Sequence, residues 1–186
     1  MYTILRSRAY VRISHIRGHP ELNPGDTAVA ASLAYHGLLG PLRVLRLLDM
    51  DLSTVPAEHL ASLVSCVTNL ITIRGVSGCD MVSIMDSVKC EVLSLQRQRL
   101  DNEETSALVR AMEARVEEVV LGGRKQTLLD VTALIQYSGQ GRCKEIGIME
   151  KSDDEEKYEE MKNWAEDKQW SITSLSNSSL RLSKKG

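Results

Sequence analysis

The sequence predicts an α/β solenoid of about six stacked strand–helix units, with a curved parallel sheet inside and helices outside. Two observations predict this fold class. Clusters of aliphatic residues return along the chain at nearly regular steps, and a helical pattern follows each cluster at a fixed offset. A third observation sets the composition of the core: 42% of the 186 residues are hydrophobic, but only 4% are aromatic and none is Phe, so aliphatic side chains must fill it.

Five aliphatic clusters predict five strands. Each cluster alternates apolar and polar residues, as residues 92–95 do, and this alternation is typical of a short half-buried strand. From the first cluster to the last, the centres are 26, 22, 26 and 27 residues apart. The five centres are Leu45, Ile71, Leu93, Val119 and Ile146.

A helix is predicted after each strand, because apolar residues recur there at helical spacing. A shorter helix within 79–88 accounts for the 22-residue step, with Val82 and Met85 expected to face the core. The first helix is expected at 26–36, after the turn at 23–26. The other helical patterns lie at 52–64, 100–112, 126–134 and 153–161.

Several of these helices carry start signals. Pro56 is tolerated in a first turn, and either Asp101 or Asn102 is expected to cap the helix that follows it. Residues 152–155 read Ser-Asp-Asp-Glu, which is the pattern of a capping box. These signals agree with the helical spacing and support the same division of the chain.

The regular spacing is weaker at both ends of the chain. We therefore predict an N-terminal capping unit at 1–39, with a strand at Val11 and Ile13, and repeated units at 40–168. Residues 169–186 are predicted as a C-terminal strand and tail. The strand is expected at 170–172, and residues 176–186 form either a polar tail or a closing hairpin that contains Leu180 and Leu182.

The pattern LxxLxLxxNxL followed by a helix resembles the leucine-rich repeat, and LxxAM at 108–112 is similar to its ribonuclease-inhibitor-like subtype. That subtype also occurs in the C-terminal region of NOD-like receptors, in tropomodulins and in the GTPase activators of Ran. The resemblance covers about residues 40–150. The chain is a divergent match, because the positions of the family's Asn are occupied by Met50, Val76, Gln98, Arg124 and Lys151.

The resemblance implies that binding residues lie on strand positions that point away from the core. The outward positions are Arg43, Arg46, Asp49, Asn69, Thr72, Arg74, Glu91, Ser94, Gln96, Arg97, Glu117, Val120, Lys144 and Gly147. The candidate partner-binding residues among them are Arg46, Asp49, Thr72, Arg74, Ser94, Gln96, Arg97 and Val120. Three of these are arginines from successive strands, which would engage an acidic protein surface. The alternative is a solvated sheet face without a partner.

By analogy with the family, we expect a non-enzymatic module or adaptor that binds a protein partner through the concave sheet face. One alternative is a regulatory GTPase-activating protein of the leucine-rich-repeat type. Another is a structural module that associates with itself. We expect a cytoplasmic protein that is a monomer or a weak homo-oligomer.

The composition and motifs give no reason to expect binding of nucleic acid, a membrane, a metal ion or a cofactor. The net charge of -2 gives no general attraction to nucleic acid or to a membrane. The four cysteines have the spacing of neither a redox pair nor a zinc site, so buried thiols are expected. His15 and His19 are four residues apart, but Gly18 and Pro20 disfavour the helix that a metal site would need there. No phosphate-binding or nucleophile motif occurs.

The segment 151–168 is rich in charge and predicts a helix with one apolar face. That face consists of Tyr158, Met161, Trp164 and Ala165, and it is expected to pack on the preceding unit while the acidic residues face water. An alternative is that the acidic face docks on a basic patch of a partner.

Overall fold

The computed structural model of the protein describes residues 23–98, 100–122, 142–149, 159, 162–163, 165–176 and 179–185. Within these residues the chain forms an α/β fold with one open, mostly parallel sheet of seven strands. The strand predicted at Val11 and Ile13, the helix predicted at 126–134 and the capping box predicted at 152–155 lie outside the described residues, as do His15 and His19.

Strands and helices alternate through most of the described chain. The strands are β1 (Leu42–Leu48), β2 (Val67–Arg74), β3 (Val92–Gln96), β4 (Glu118–Gly122), β5 (Glu145–Met149), β6 (Trp170–Ser176) and β7 (Ser179–Lys184). The helices are α1 (Pro24–Tyr35), α2 (Ala57–Ser65), α3 (Met81–Ser87) and α4 (Asn102–Ala114). In the part of the chain that the structure describes, no helix combines the length and the apolar character that a membrane crossing requires.

The first five strands are parallel and lie in the sheet in their chain order. Their predicted centres form one continuous row across the sheet: Leu45, Ile71, Leu93, Val119 and Ile146 stand opposite one another on successive strands. The prediction that these residues lie side by side is therefore confirmed. None of the five is more than 2% exposed, and each such burial stabilises the fold by about 1.5–3 kcal/mol.

The core lies between the sheet and the four helices. Each helix packs against the next one in chain order, and their apolar sides join the strand residues in one cluster. In helix α3, Met85 is buried and Val82 is half-buried and packs against the core, as the sequence predicted. Met81 and Ile84 are also buried. The reason is that α3 starts at Met81 after its N-cap Asp80, so that positions one and four or five of the helix face inward.

The C-terminal segment forms a hairpin, which decides between the two structures that the sequence left open. Strand β7 pairs antiparallel with both β5 and β6, so the sheet order is β1-β2-β3-β4-β5-β7-β6. Leu180 and Leu182 lie opposite Ile148 and Ile146 and are buried. The hairpin thus extends the aliphatic row beyond the parallel strands.

Helix α4 begins with a capping box, at the position where the sequence predicted a cap. Asp101 Oδ1 accepts a hydrogen bond from the Glu104 backbone N–H at 2.8 Å, and Glu104 Oε2 accepts one from the Asp101 N–H at 2.9 Å. Of the two candidate caps, Asp101 is therefore the N-cap and Asn102 is the first helical residue. Two backbone donors that a helix start leaves unpaired are satisfied in this way.

Replacing Leu95 by Ala is expected to lower the free energy of unfolding by about 2–5 kcal/mol, because Leu95 is fully buried and the change leaves a cavity. Urea denaturation followed by circular dichroism measures the change. Arg43→Ala on the exposed side of β1 is the control, with a change within about 0.5 kcal/mol. Equal effects of the two substitutions would contradict the position of the core.

Replacing Asp101 by Ala is expected to cost about 1 kcal/mol of stability, because it removes the carboxylate that accepts the hydrogen bond of the Glu104 backbone N–H. Thermal and urea unfolding measure this loss. Asn102→Ala is the matched control, since Asn102 is exposed and its side chain makes no hydrogen bond within the described residues. A larger loss for Asn102→Ala than for Asp101→Ala would contradict the observed cap.

Candidate functional site

The outward face of the sheet, opposite the helices, carries most of the candidate residues. Because side chains alternate along a strand, the residues between the buried aliphatics point to this face. One row of it runs across the parallel strands in register and consists of Arg46, Thr72, Ser94, Val120 and Gly147. Exposure falls along the row from Arg46, which is exposed, to Thr72 and Ser94.

Ser94 corrects the sequence prediction, which included it among the partner-binding residues. It is only 6% exposed, because Thr72 and Val120 flank it on the neighbouring strands. Its hydroxyl accepts a hydrogen bond from the side-chain N–H of Gln96 at 3.1 Å. Ser94 therefore supports the face from within, and Gln96 is held beside it.

The three arginines do not form the regular stack that the sequence suggested. Arg46 stands opposite Thr72, two residues before the level of Arg74, which stands opposite Leu48 and Gln96. Arg97 lies just beyond the end of β3. The strand register thus brings Arg74 and Arg97 to the carboxyl ends of the strands and leaves Arg46 near the middle of β1.

Asp49 draws Arg74 and Arg97 together at this end of the sheet. Its Oδ2 accepts hydrogen bonds from Arg74 Nε at 3.0 Å and from Arg74 Nη2 at 2.6 Å. Its Oδ1 lies 3.8 Å from Arg97 Nη1. One carboxylate from β1 therefore contacts guanidinium groups from β2 and β3, and we call Asp49, Arg74 and Arg97 the Asp49 cluster.

Backbone geometry sets the position of this cluster. Asp49, Gly75 and Arg97 each follow the last residue of a strand and have φ of 49°, 57° and 53°. This left-handed region suits glycine, whereas Asp and Arg occupy it at a cost of about 1 kcal/mol or more. A Cβ on Gly75 would lie 2.5 Å from Asp49 Oδ1, so the close approach of the carboxylate also requires glycine there.

The same three residues extend the pairing of the strands by one step. The N–H groups of Asp49, Gly75 and Arg97 donate to the carbonyls of Arg74, Gln96 and Gly122 at 2.6, 3.1 and 2.6 Å. The left-handed turns are thus fixed by backbone hydrogen bonds on three neighbouring strands. This rigid support keeps the side chains of Asp49 and Arg97 at the edge of the outward face.

The charge of the site is positive. Arg46, Arg74 and Arg97 oppose the single carboxylate of Asp49, which gives the four residues a net charge of +2. The side chain of Arg97 is 62% exposed and that of Arg74 is 33% exposed. Arg97 and Arg46 are therefore accessible to a partner, whereas Arg74 is held by Asp49.

Sequence reasoning identified all members of the Asp49 cluster but missed the ion pair that connects them. The available signal was that Asp49 and Arg97 each follow the end of a predicted strand, while Arg74 ends one. In a parallel sheet such positions meet at one edge. Opposite charges at that edge therefore indicate an ion pair between neighbouring strands. The sequence pattern had instead suggested arginines that are independent of Asp49.

The cysteines form free thiols within the fold. Cys90 and Cys143 are buried, and burial raises the pKa of each thiol to about 11. Burial also raises the pKa of Cys79 to about 11 and that of Cys66 above its usual value. These thiols therefore stay protonated near neutral pH. Because the thiolate is the reactive form of cysteine, this protonation makes them unreactive. Among the described residues, no group of three or more His, Cys, Asp or Glu side chains is arranged to hold a metal ion.

Comparisons of the chain with known protein families, with curated proteins and with solved structures find no match.

The ion pair between Asp49 and Arg74 is expected to contribute about 0.2–1 kcal/mol to stability, since both side chains are partly exposed. A double-mutant cycle with Asp49→Ala and Arg74→Ala measures this coupling. It should shrink when the salt concentration rises to about 1 M. As the control, a cycle with Asp49→Ala and Arg43→Ala should show no coupling, and coupling of equal size there would contradict the specific contact.

Proposed function

We propose that the chain is a divergent leucine-rich-repeat solenoid that acts as a non-enzymatic protein-interaction module. In this proposal the partner presents an acidic surface, which binds the outward face of the sheet at Arg46 and Arg97. The observation that carries the proposal is the Asp49 cluster, in which a rigid strand edge holds the exposed guanidinium group of Arg97 beside an ion pair, with a net positive charge.

The arrangement of the elements supports the solenoid. Five strands lie side by side in chain order, with equivalent residues in register and with helices packed in the same order on one side. The left-handed position also recurs after β1, β2 and β3. Such equivalence between successive units is what stacked repeats produce. The resemblance of the sequence to the pattern LxxLxLxxNxL is the reason why we propose the leucine-rich-repeat family in particular.

The geometry of the arginines supports an acidic partner. Arg97 contacts Asp49 at 3.8 Å, which is longer than a direct hydrogen bond, so its donors are available to another carboxylate. A guanidinium group binds carboxylates through two parallel hydrogen bonds. Arg46 forms no ion pair within the described residues and adds a second free guanidinium on the same face.

Arg74 has a different part in the proposed site. Its two hydrogen bonds to Asp49 fix the carboxylate, and the carboxylate in turn lies beside Arg97. Arg74 therefore positions the site, and Arg46 and Arg97 contact the partner. Asp49 disfavours binding of unselected anions, since an incoming carboxylate must approach Arg97 from the side away from Asp49.

We further propose that the protein acts in the cytoplasm. The support for this is that Cys66, Cys79, Cys90 and Cys143 are all free thiols. Unpaired cysteines are typical of proteins in reducing compartments, where disulfides rarely persist.

The test of this function is the double variant Arg46→Glu/Arg97→Glu. Partners are captured from an extract of the source cell with the wild-type chain, and the affinity of the purified partner is measured by calorimetry. The variant should bind at least about tenfold more weakly, because like charges would then face each other. Its melting temperature should stay close to that of the wild type, since neither side chain belongs to the core.

Lys185→Glu is the control, because it reverses one charge, as each substitution of the double variant does, at an exposed position away from the Asp49 cluster. It should leave the affinity unchanged. Arg74 is kept in all variants, since its two direct hydrogen bonds hold Asp49 in place, whereas Arg97 only approaches Asp49 at 3.8 Å and its side chain is free to turn into solvent. Undiminished binding by the double variant would refute the assignment of this face.

A further inference from the structure

A second charged region lies at the opposite edge of the sheet, where the parallel strands begin. It is an open depression of about 380 Å³ at the entry to β2, β3, β4 and β5. Charged side chains dominate its lining, namely Lys89, Glu91, Arg115, Glu117 and Arg142. The Asp49 cluster follows the ends of the strands, so the two regions are separated by the length of the sheet.

The three cations of the lining occupy equivalent positions. Lys89, Arg115 and Arg142 each stand three residues before the paired strand residues Val92, Glu118 and Glu145. We call these three cations the basic row. Neighbouring strands are about 4.8 Å apart, so the row has a step of about 5 Å and a length of about 10 Å.

Backbone hydrogen bonds keep the loops that carry the basic row in step. The N–H groups of Glu117 and Glu118 both donate to the carbonyl of Glu91, at 2.8 and 3.1 Å. The N–H groups of Lys144 and Glu145 donate in the same way to the carbonyl of Glu117, at 2.8 and 3.1 Å. These bonds lie two residues after each cation, so they align the segments that carry the row, although its side chains are exposed.

The cations of the row are available for binding. Lys89, Arg115 and Arg142 are exposed and form no ion pair within the described part of the chain. The nearby Glu117 is already paired, because Lys144 Nζ donates to its Oε2 at 2.8 Å. This hydrogen bond and the charge of Lys144 lower the pKa of Glu117, so it remains ionised near neutral pH.

We propose that the basic row binds an acidic helix of a partner protein, with one carboxylate from each successive turn contacting one cation. A helix advances about 5.4 Å per turn, which is close to the step of the row. Acidic residues at i, i+4 and i+7 would thus meet Lys89, Arg115 and Arg142 in order.

The two carboxylates in the depression favour this occupant over a compact polyanion. A compact polyanion would gather all three cations at one point, beside Glu91 and Glu117, which would repel it. A helix with separated carboxylates places each charge beside its own cation. The lining is also more polar than that of a typical small-molecule site.

The experiment uses the full chain and two labelled, alanine-rich peptides of about 18 residues, a length at which such helices form. One peptide carries three Glu residues at i, i+4 and i+7, on one face. The other has the same composition with its Glu residues spread around the helix. Fluorescence anisotropy is expected to give a several-fold tighter affinity for the one-face peptide, and the difference should vanish at high salt.

Variants identify the residues that bind. The triple variant Lys89→Gln/Arg115→Gln/Arg142→Gln should bind the one-face peptide about tenfold more weakly. The three single variants should each lose a part of the affinity, which keeps the test valid if the triple variant does not fold. Arg43→Gln removes one exposed charge on β1, outside the depression, and should have no effect. Arg46→Glu/Arg97→Glu should also bind the peptide normally, because it does not change the basic row. A failure of the proposed function is therefore distinguishable from a failure of this proposal.

Three results would overturn the assignment. The first is equal affinity for the two peptides, which would mean that the spacing of the cations does not determine binding. The second is full binding by all the Gln variants, which would place the peptide elsewhere. The third is displacement of the one-face peptide by an equal concentration of tripolyphosphate, which would identify a site for a compact anion.

Discussion

The structure depends on the lateral packing of aliphatic side chains from neighbouring parallel strands. Leu45, Ile71, Leu93, Val119 and Ile146 shield one another across the sheet, and the four helices cover them from one side. With no Phe in the chain, this burial relies on many aliphatic contacts of similar size. A change of register by one residue would move the whole set to the outward face. The burial of these five residues therefore determines the face to which the remaining side chains of the strands point.

Both charged regions follow from that register. At the carboxyl ends of the strands it brings Asp49, Arg74 and Arg97 within contact distance, and at the amino ends it aligns the basic row. The two regions differ in one physical respect. In the Asp49 cluster a carboxylate of the chain itself pairs with the guanidinium groups, whereas the cations of the basic row form no ion pair among the described residues. The electrostatic surroundings of the two regions therefore differ, although both are positive.

The sequence predicted the strand centres and the cap of α4 because these depend on local patterns. Aliphatic alternation located the strand centres, and Asp101 was one of the two caps that the sequence offered for α4. The sequence could not predict the burial of Ser94, since a small polar residue looks the same on an open face and between two neighbours. Nor could it show that Arg46 and Arg74 differ by two residues in register, because the exact pairing of strands depends on contacts between distant segments.

The order of the last two strands has a consequence for biosynthesis. Strand β7 lies between β5 and β6, although it follows both of them in the sequence. On the ribosome β6 therefore emerges before the neighbour that joins it to the sheet has been made. Until β7 is inserted, the backbone of β5 presents an open edge, and Leu182 is absent from its place beside Ile146 and Ile172. Strand β6, although it is made before β7, therefore depends on β7 for its place at the edge of the sheet.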